Sequence, residues 1–256
     1  MREILEAVAR GDISVEAAEA ELSGYATTEA GRFDAAREHR RGIPEGILAE
    51  GKQPAQTASL AVTAVDTTGR AVVTRAGEET VTRIRTQIDA EFPDATVRSD
   101  ETARTVIVHG SEFERPATDA TVCVVAAGTA DQPAAGEAAV IAREAGATVD
   151  RVSDVGVANL DRMLDQTERL RDADVVVVAA GREGALSTVV AGLVSTPVIG
   201  LPVSTGYGHG GDGEAALSGM LQSCTVLSTV NVDAGFVAGT QAGLIAQAVG
   251  AARSGR

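Results

Sequence analysis

The chain has 256 residues, of which 44% are hydrophobic, 2% are aromatic and none is tryptophan. Its formal net charge is −14, and Lys52 is its one lysine. Such an acidic surface repels nucleic acid and anionic membranes, so both are excluded as partners. It also suits a cytoplasm of very high salt, where screening removes the self-repulsion, and we therefore expect a halophilic source.

The N-terminus and the cysteine usage both favour a cytoplasmic protein. Residues 1–10 are charged and amphipathic, unlike a signal peptide, and no apolar run reaches membrane-spanning length. Cys123 and Cys224 lie far apart and show no metal-ligand spacing. We therefore expect neither a disulfide framework nor a protein-bound metal.

Residues 1–118 predict a small α+β domain that opens with a helical hairpin. Ser14 is a plausible N-cap for the second helix of that hairpin, and residues 33–52 are polar and irregular. Pro116 and the polar run behind it mark the predicted domain boundary. The predicted elements are helices over residues 2–9, 15–22 and 78–92 and strands over residues 60–65, 71–74 and 105–109.

Residues 119–256 predict an α/β domain, because apolar strands alternate regularly with helical segments. Strands that show no polar alternation must be buried on both faces, which requires a parallel sheet with helices on both sides. The loops behind the strands are small, polar or glycine-rich, so the carboxyl edge of the sheet carries the candidate ligand contacts. The predicted strands cover residues 121–127, 148–152, 174–180, 198–203 and 226–232, and the predicted helices cover 132–145, 159–171, 185–194, 214–222 and 236–249.

A glycine-crowded loop follows the fourth of these strands. Gly206, Gly208 and Gly211 match the pattern G-x-G-x-x-G, and Asp233 follows about twenty residues later. The dinucleotide-binding fingerprint normally occupies the first strand-to-helix turn, whereas this loop is the fourth. A loop that contacts phosphate and a plain flexible loop are both compatible with this sequence.

Several side chains near these loops have both a functional and a structural interpretation. Cys224 is either a reactive thiol or a small buried residue, whereas Cys123 lies within a predicted buried strand and is interpreted as structural. Glu183, in G-R-E-G behind the third strand, is either a general acid/base or a solvated loop carboxylate. Carboxylates that bind ribose hydroxyls or Mg²⁺ are available at three strand ends, in Asp131, Asp154 and Asp233.

Motifs follow one another along the second half in the order A-G-T-A-D (127–131), D-V-G-V-A (154–158), A-G-R-E-G-A-L (180–186), P-V-I-G-L-P-V-S-T-G-Y-G (197–208), M-L-Q-S-C (220–224) and V-N-V-D-A-G-F-V-A-G (230–239). In this order they resemble the nickel-pincer cofactor biosynthesis family LarB. The segments F-D-A-A-R-E-H-R-R-G-I-P-E and A-E-G-K in the first half agree too, so the resemblance covers nearly the whole chain. M-L-Q-S-C together with V-N-V-D-A-G-F is its most specific part.

The second half of that family resembles phosphoribosylaminoimidazole carboxylase of the PurE type. The resemblance therefore implies a PurE-like, flavodoxin-like three-layer domain and a homo-oligomer, an octamer by analogy. It implies carboxylation of the pyridinium ring of nicotinic acid adenine dinucleotide and cleavage of the phosphoanhydride. The products would be pyridinium-3,5-biscarboxylic acid mononucleotide and AMP.

The resemblance also implies roles for individual residues. Cys224 matches the thiol that adds to the ring, and Glu183 matches the proton-transfer group. The implied small-molecule partners are the dinucleotide and CO₂ or bicarbonate, with Mg²⁺ on phosphate oxygens and no tightly bound organic cofactor. The expected substrate contacts are Gly128, Thr129, Asp131, Asp154, Gly156, Arg182, Gly184, Ser204, Thr205, Gly206, Tyr207, Gly208 and Asp233.

The chain departs from the family pattern at two points, and two other functions are alternatives. Ala130 stands where A-G-T-S-D is more usual, which removes a hydroxyl contact, and the glycine loop is longer than typical. A purine-pathway carboxylase of the PurE type is the alternative enzyme, but it carries S-A-H-R behind the second strand, where this chain has S-D-V-G-V-A. A non-catalytic nucleotide-binding module is the alternative of another class, which turnover of any dinucleotide would exclude.

Overall fold

The structure is a computed structural model that describes residues 2–28 and 30–255. Over these ranges the chain divides into two compact units, one ending at Glu114 and the other beginning at Arg115. None of the helices in these ranges is both long enough and apolar enough to cross a membrane.

The first unit is built on a mixed sheet with helices against one face. Its elements are α1 (Arg2–Arg10), α2 (Val15–Ser23), β1 (Ala26–Thr28), β2 (Gly31–Phe33), α3 (Arg37–Arg41), β3 (Gly46–Leu48), α4 (Pro54–Thr68), β4 (Arg70–Thr74), α5 (Glu78–Glu91), β5 (Thr96–Asp100) and β6 (Thr105–His109). The sheet order is β3-β4-β6-β5, with β3 parallel to β4 and the other pairs antiparallel, while β1 and β2 form a separate hairpin. Ala61, Ile84 and Val73 share the apolar core between α4, α5 and the sheet.

The strand predicted over residues 60–65 is wrong, because these residues lie inside α4. The Gln56 side chain accepts a hydrogen bond from the backbone N–H of Gln53 at 3.0 Å and so caps the start of that helix. Ala61 and Val65, four residues apart, are both buried against the sheet. A six-residue apolar window does not distinguish a strand from one face of a buried helix.

Residues 33–52 are also more ordered than predicted, since they contain α3 and β3. Many of the charged residues in this segment form ion pairs, which explains why it is basic and polar. Arg37 contacts Glu45 at 3.1 Å, and the buried Arg70 guanidinium contacts Glu38 at 2.6 Å. The predictions for the first unit that the structure confirms, to within two residues at each end, are the helices over residues 2–9, 15–22 and 78–92 and the strands over residues 71–74 and 105–109.

The second unit is a parallel sheet between layers of helices, as the unbroken apolar strands predict. Its elements are β7 (Thr121–Ala126), a 3-10 turn (Thr129–Asp131), α6 (Gln132–Glu144), β8 (Thr148–Ser153), α7 (Leu160–Leu164), α8 (Thr167–Arg171), β9 (Val175–Ala180), α9 (Ala185–Ala191), β10 (Val198–Pro202), α10 (Glu214–Leu221), β11 (Ser228–Thr229) and α11 (Gly235–Arg253). The order β11-β10-β9-β7-β8 is flavodoxin-like, and every pair is parallel. The predicted three-layer fold is therefore confirmed.

The two faces of this sheet carry separate apolar cores. On one face α6 and α11 pack together through small residues such as Ala138, Gly239 and Ala242. On the other face Met163, Leu186 and Met220 bring α7, α9 and α10 onto the strands. Because both faces are covered, ligands can reach the sheet only at its edges, and the carboxyl edge is where the strand-to-helix loops gather.

Two segments of the second unit differ from their predictions. The helix predicted over residues 159–171 is split into α7 and α8, and the Asn159 side chain caps the first of them by accepting from the N–H of Asp161 at 3.1 Å. The strand predicted over residues 226–232 is reduced to β11, which pairs with β10 at only two positions. Val226 is 96% exposed, because it precedes the short pairing at the end of the sheet order.

Candidate active site

The loops behind β7, β8, β9 and β10 enclose a cavity of about 550 Å³ at the carboxyl edge of the parallel sheet. The order in which successive strands are added to the sheet reverses between β7 and β9, and the cavity lies at that switch point, where ligands bind in open α/β sheets. The charged residues in its wall are Asp131, Asp154, Arg162, Arg182 and Glu183.

Asp131 joins the loops around this cavity from inside the wall. Its Oδ2 accepts a hydrogen bond from the Gly128 N–H at 2.8 Å, and its Oδ1 accepts one from the Thr205 hydroxyl at 3.1 Å. The backbone of Gly181 also hydrogen-bonds to this carboxylate. Burial raises the pKa of Asp131 above its ordinary value, and these three hydrogen bonds act in the opposite direction. Asp131 is 6% exposed, so its carboxylate mainly accepts hydrogen bonds from other residues of the protein.

The loop behind β8 contributes a carboxylate and an arginine that are already paired. Asp154 has a left-handed backbone, with φ of 59°, and its Oδ1 lies 3.0 Å from the Arg162 guanidinium of α7. Gly156 donates its N–H to the Ala127 carbonyl at 2.8 Å, which ties this loop to the end of β7. Arg162 was not identified from the sequence, where it falls inside a predicted helix with no feature that separates it from other surface arginines.

The loops behind β9 and β10 meet at the mouth of the cavity. The Arg182 guanidinium carbon lies 4.3 Å from the centre of the Tyr207 ring, and both side chains are exposed. Gly206 lies against the Arg182 backbone, where an added Cβ would approach the Arg182 nitrogen to 3.1 Å. Glu183 is exposed in the same wall, and its role as a general acid/base remains a prediction.

The structure brings many of the predicted contact residues to one place. Those in the cavity wall are Gly128, Asp131, Asp154, Gly156, Arg182, Glu183, Thr205 and Tyr207. Thr129 is exposed in the neighbouring 3-10 turn, and Gly208 sits in the open part of the glycine loop with no atom within 4 Å of an added Cβ. Their contacts with a substrate remain predictions.

The other predicted contacts have structural partners outside the wall. Gly184 begins α9, and an added Cβ there would lie 2.7 Å from the Ala216 carbonyl oxygen of α10. Ser204 donates its N–H to Asp233 Oδ1 at 3.0 Å, and Asp233 has φ of 54°. Gly184 therefore allows α9 to approach α10 closely, and the hydrogen bond between Ser204 and Asp233 connects the loops behind β10 and β11.

Cys224 does not line the cavity. It follows the carboxyl end of α10, whereas the glycine loop precedes the other end of that helix. Its neighbour Ser223 accepts a hydrogen bond from the Thr188 hydroxyl of α9 at 3.0 Å, which fixes this segment beside α9. The thiol itself is exposed, unlike that of Cys123, which is fully buried in β7.

Larger cavities exist in the first unit but lack the features of this site. One of about 740 Å³ is bordered by Glu19, Asp66 and Glu91, and no basic side chain is among the described residues of its wall. Another of about 640 Å³ is an open groove beside the first turns of α4 and α5, with Glu78, Glu79 and Arg83 in its wall. Neither cavity lies at the switch point of the five-stranded parallel sheet, so we assign the candidate site to the strand-edge cavity.

The carboxylates of the site do not form a metal cage. Within residues 2–28 and 30–255, no group of three or more His, Cys, Asp or Glu side chains is arranged to hold a metal ion. Asp131 is occupied by its three donors and Asp154 by Arg162. The residues present therefore do not fit a resident Mg²⁺ ion.

The fold and the position of the cavity place the second unit in the class of flavodoxin-like α/β domains that have a candidate small-molecule site at the switch point of the sheet. Residues 25–111 match the family model of the LarB/PurE-like N-terminal domain, and residues 121–255 match that of AIR carboxylase. An uncharacterized protein of Methanocaldococcus jannaschii is 33% identical over 254 residues, which cover 96% of this chain and 97% of that protein. The chain belongs to the LarB/PurE-like carboxylase family, which confirms the resemblance seen in its motifs.

Proposed function

We propose that this protein carboxylates the pyridinium ring of nicotinic acid adenine dinucleotide and hydrolyses its phosphoanhydride, which begins nickel-pincer cofactor synthesis. The observation that carries this proposal is the exposed thiol of Cys224 in M-L-Q-S-C. A purely structural cysteine in a core of small residues is buried, as Cys123 is. A thiol held at the surface by hydrogen-bonded neighbours is available for covalent chemistry.

The proposed chemistry needs a nucleophile that is also a good leaving group. The Cys224 thiolate adds to C6 of the electron-poor pyridinium, which neutralises the ring and makes C5 nucleophilic. C5 then attacks CO₂ to form the new carbon–carbon bond. Glu183 takes the C5 proton, the carbon–sulfur bond breaks, and the departing thiolate restores the aromatic ring. Attack of water on the phosphoanhydride releases AMP and the biscarboxylic acid mononucleotide.

We further propose that Cys224 serves the cavity of a second copy in a homo-oligomer, an octamer by analogy with PurE-type enzymes. Cys224 lies outside the cavity wall of its own chain. Leu221 is 67% exposed and Val226 is 96% exposed, so the thiol is flanked by apolar side chains that a partner would cover. Docking this segment on another copy would bury both residues and bring a thiol to a site that otherwise has none.

Mg²⁺ enters this proposal only as a companion of the substrate. Because the described carboxylates do not form a cage, the ion would arrive on the diphosphate oxygens. AMP release in the presence of EDTA tests this point, and full release would remove the ion from the proposal.

Product analysis tests the reaction. The wild-type protein is incubated with the dinucleotide and bicarbonate, and the products are analysed by mass spectrometry. We expect two products, AMP and a mononucleotide that is heavier than nicotinic acid mononucleotide by one CO₂. The added carboxylate should carry the label when ¹³C-bicarbonate is supplied. Absence of any dinucleotide turnover would favour a non-catalytic nucleotide-binding module.

Subunit mixing tests the shared site. Cys224→Ala and Glu183→Gln should each abolish carboxylation. After dissociation and reassembly of a one-to-one mixture, about a quarter of the sites combine an intact thiol with an intact carboxylate if these come from different copies. Recovery of activity in the mixture supports the proposal, and a mixture as inactive as its parents places both groups within one chain.

The AIR carboxylase match keeps a purine-pathway carboxylase as the second candidate. That reaction needs no thiol. The position where such enzymes carry a histidine is occupied here by the loop of Asp154, which is paired with Arg162. Carboxylation of 5-aminoimidazole ribonucleotide by the Cys224→Ala protein would establish this second function.

A further inference from the structure

Arg182 and Tyr207 form a stack at the mouth of the cavity. The guanidinium carbon lies 4.3 Å from the centre of the ring, so the planar cation covers one face of the aromatic side chain. Tyr207 is nevertheless 78% exposed.

The Arg182 guanidinium is otherwise uncommitted. In the described part of the chain, no hydrogen bond or salt bridge holds it, whereas the neighbouring Arg162 pairs with Asp154 at 3.0 Å. Such a group is available to an anion that enters the cavity.

The backbone holds both side chains in place. Arg182 has φ of 52°, and Gly206 lies directly against its backbone. The loop that carries Tyr207 is anchored two residues earlier, where Thr205 donates to Asp131. The loops are therefore fixed, and the exposed side chains at their tips can rotate.

We propose that Tyr207 is the stacking face for one flat ring of the nucleotide substrate and that Arg182 moves from this face to the phosphate. This inference rests on the proposed function and specifies how the substrate is held. The entering ring replaces the planar guanidinium on the tyrosine, and base–aromatic stacking replaces the cation–π contact. The released guanidinium forms a charge-assisted, two-pronged pair with phosphate oxygens.

Binding measurements on the full-length protein test the proposal. The probes are nicotinic acid mononucleotide, AMP, the intact dinucleotide and inorganic pyrophosphate, each titrated by calorimetry. Tyr207→Leu should weaken binding of the dinucleotide by about tenfold, and likewise binding of the mononucleotide whose ring stacks there. Tyr207→Phe keeps an aromatic ring and should bind both as tightly as the wild type. Neither change should alter pyrophosphate binding. The mononucleotide that responds identifies the ring.

Arg182→Met should weaken every probe, including pyrophosphate, because each carries the phosphate that the guanidinium would bind. The chain also offers a matched control, since Arg32 stacks on Tyr25 at 5.2 Å in the first unit. Tyr25→Leu removes a comparable stack far along the sequence and should leave all four affinities unchanged.

Tyrosine fluorescence gives a second readout, since the chain has two tyrosines and no tryptophan. In a Tyr25→Phe background the emission comes from Tyr207 alone, and the stacking mononucleotide should quench it. Unchanged dinucleotide affinity in Tyr207→Leu would overturn the proposal even if carboxylation is established. Conversely, Tyr207-dependent binding without carboxylation would refute the proposed reaction and leave this inference standing.

Discussion

The Thr205 hydroxyl donates a hydrogen bond of 3.1 Å to Asp131 Oδ1 and so connects the loop behind β10 to the loop behind β7. The backbone of Gly128 supplies a second donor to the same carboxylate at 2.8 Å. Two walls of the cavity thus depend on one buried side chain. The predicted contact of Asp131 with the substrate remains a prediction, and its hydrogen bonds to Gly128 and Thr205 give it a positioning role within the protein.

Asp131→Asn should loosen the site without unfolding the protein. Asparagine has the same shape, but its NH₂ group cannot accept the hydrogen bonds that one carboxylate oxygen now receives, so a donor faces a donor. We expect a rise of about tenfold in KM for the dinucleotide, a smaller fall in kcat and a small change in Tm.

Thr205→Val removes only one of the three donors and should raise KM less. A double-mutant cycle between Asp131 and Thr205 should show coupling, because the same hydrogen bond is lost in each single variant. Fully additive effects on KM would mean that the two loops are positioned independently.

The position of the site was predictable because its loops follow strands whose sequences clearly indicate a buried parallel sheet. Strands such as residues 175–180 are apolar without interruption, so their burial and parallel pairing follow from the sequence. The carboxyl ends of such strands meet at one edge, which gathers Gly128, Asp154, Arg182 and Thr205 without knowledge of any contact.

What the sequence does not encode locally is which partner each side chain takes. Asp131 and Asp154 are both strand-end carboxylates, yet one is buried among three donors and the other is paired with Arg162. Residues 60–65 are apolar and β-branched in part, but Pro54 and the Gln53 cap place them in a helix. The contact of Asp131 with Thr205 joins segments distant in sequence, which periodicity does not report, whereas the start of α4 is a local signal that lies outside the six-residue apolar window.

Gly239 should not tolerate even one added carbon. It lies where α11 crosses α6, and a Cβ there would be 2.4 Å from the Ala138 carbonyl oxygen. Exchange of glycine for alanine in a helix normally stabilises by about 1 kcal/mol. Here overpacking should outweigh that gain, and we expect Gly239→Ala to lower the free energy of unfolding by about 1–2 kcal/mol.

Ala251→Val is the matched control, because Ala251 is exposed on the same helix. Chemical denaturation of both variants at equal protein concentration checks the prediction. A Gly239→Ala protein as stable as the control would show that the two helices can separate at little cost.

The ion pair of Asp150 and Arg169 should make the free energy of unfolding depend on pH in the acidic range. Hydrogen bonds from Arg169 hold the pKa of Asp150 below its ordinary value, and burial opposes this only in part. A carboxylate with a lowered folded-state pKa contributes stability above its unfolded pKa of about 4, and that contribution is lost as the pH falls through the folded pKa.

Asp150→Asn should therefore lower Tm at pH 7 by about 1–3 °C, a small effect because the pair is partly exposed. The difference from wild type should shrink as the pH falls from the unfolded pKa of about 4 through the lowered folded-state pKa, and it should vanish below that pKa. Thermal scans across this range provide the measurement, and an equal deficit at every pH would mean that packing rather than charge is lost.

Salt should stabilise the whole protein if the acidic surface reflects a halophilic source. The net charge of −14 repels itself at low ionic strength, and molar KCl screens that repulsion. We expect Tm to rise on the order of 5 °C or more between 0.1 M and 2 M KCl. Equal or lower stability at high KCl would count against this origin.

The two cysteines should differ in reactivity. Burial raises the pKa of the Cys123 thiol to about 12, and that residue is fully buried in β7, whereas the Cys224 side chain is exposed. Iodoacetamide at pH 7.5 should therefore add one adduct, at Cys224, to the native protein and two to the denatured protein. Under the proposed function the dinucleotide should slow the native reaction, because it would occupy the site that the thiol is proposed to serve.

Substitution then separates catalysis from structure. Cys224→Ala should abolish carboxylation with an unchanged Tm, since an exposed side chain leaves no cavity, and Cys224→Ser should also fail because an alkoxide is scarce at neutral pH and leaves poorly. Cys123→Ala should keep activity and lose about 1 kcal/mol of stability, because it leaves a small cavity in a packed strand. Wild-type protein given dinucleotide without CO₂ should show a reversible adduct mass. Substantial carboxylation by well-folded Cys224→Ala would end the covalent mechanism and make Glu183 the leading catalytic group.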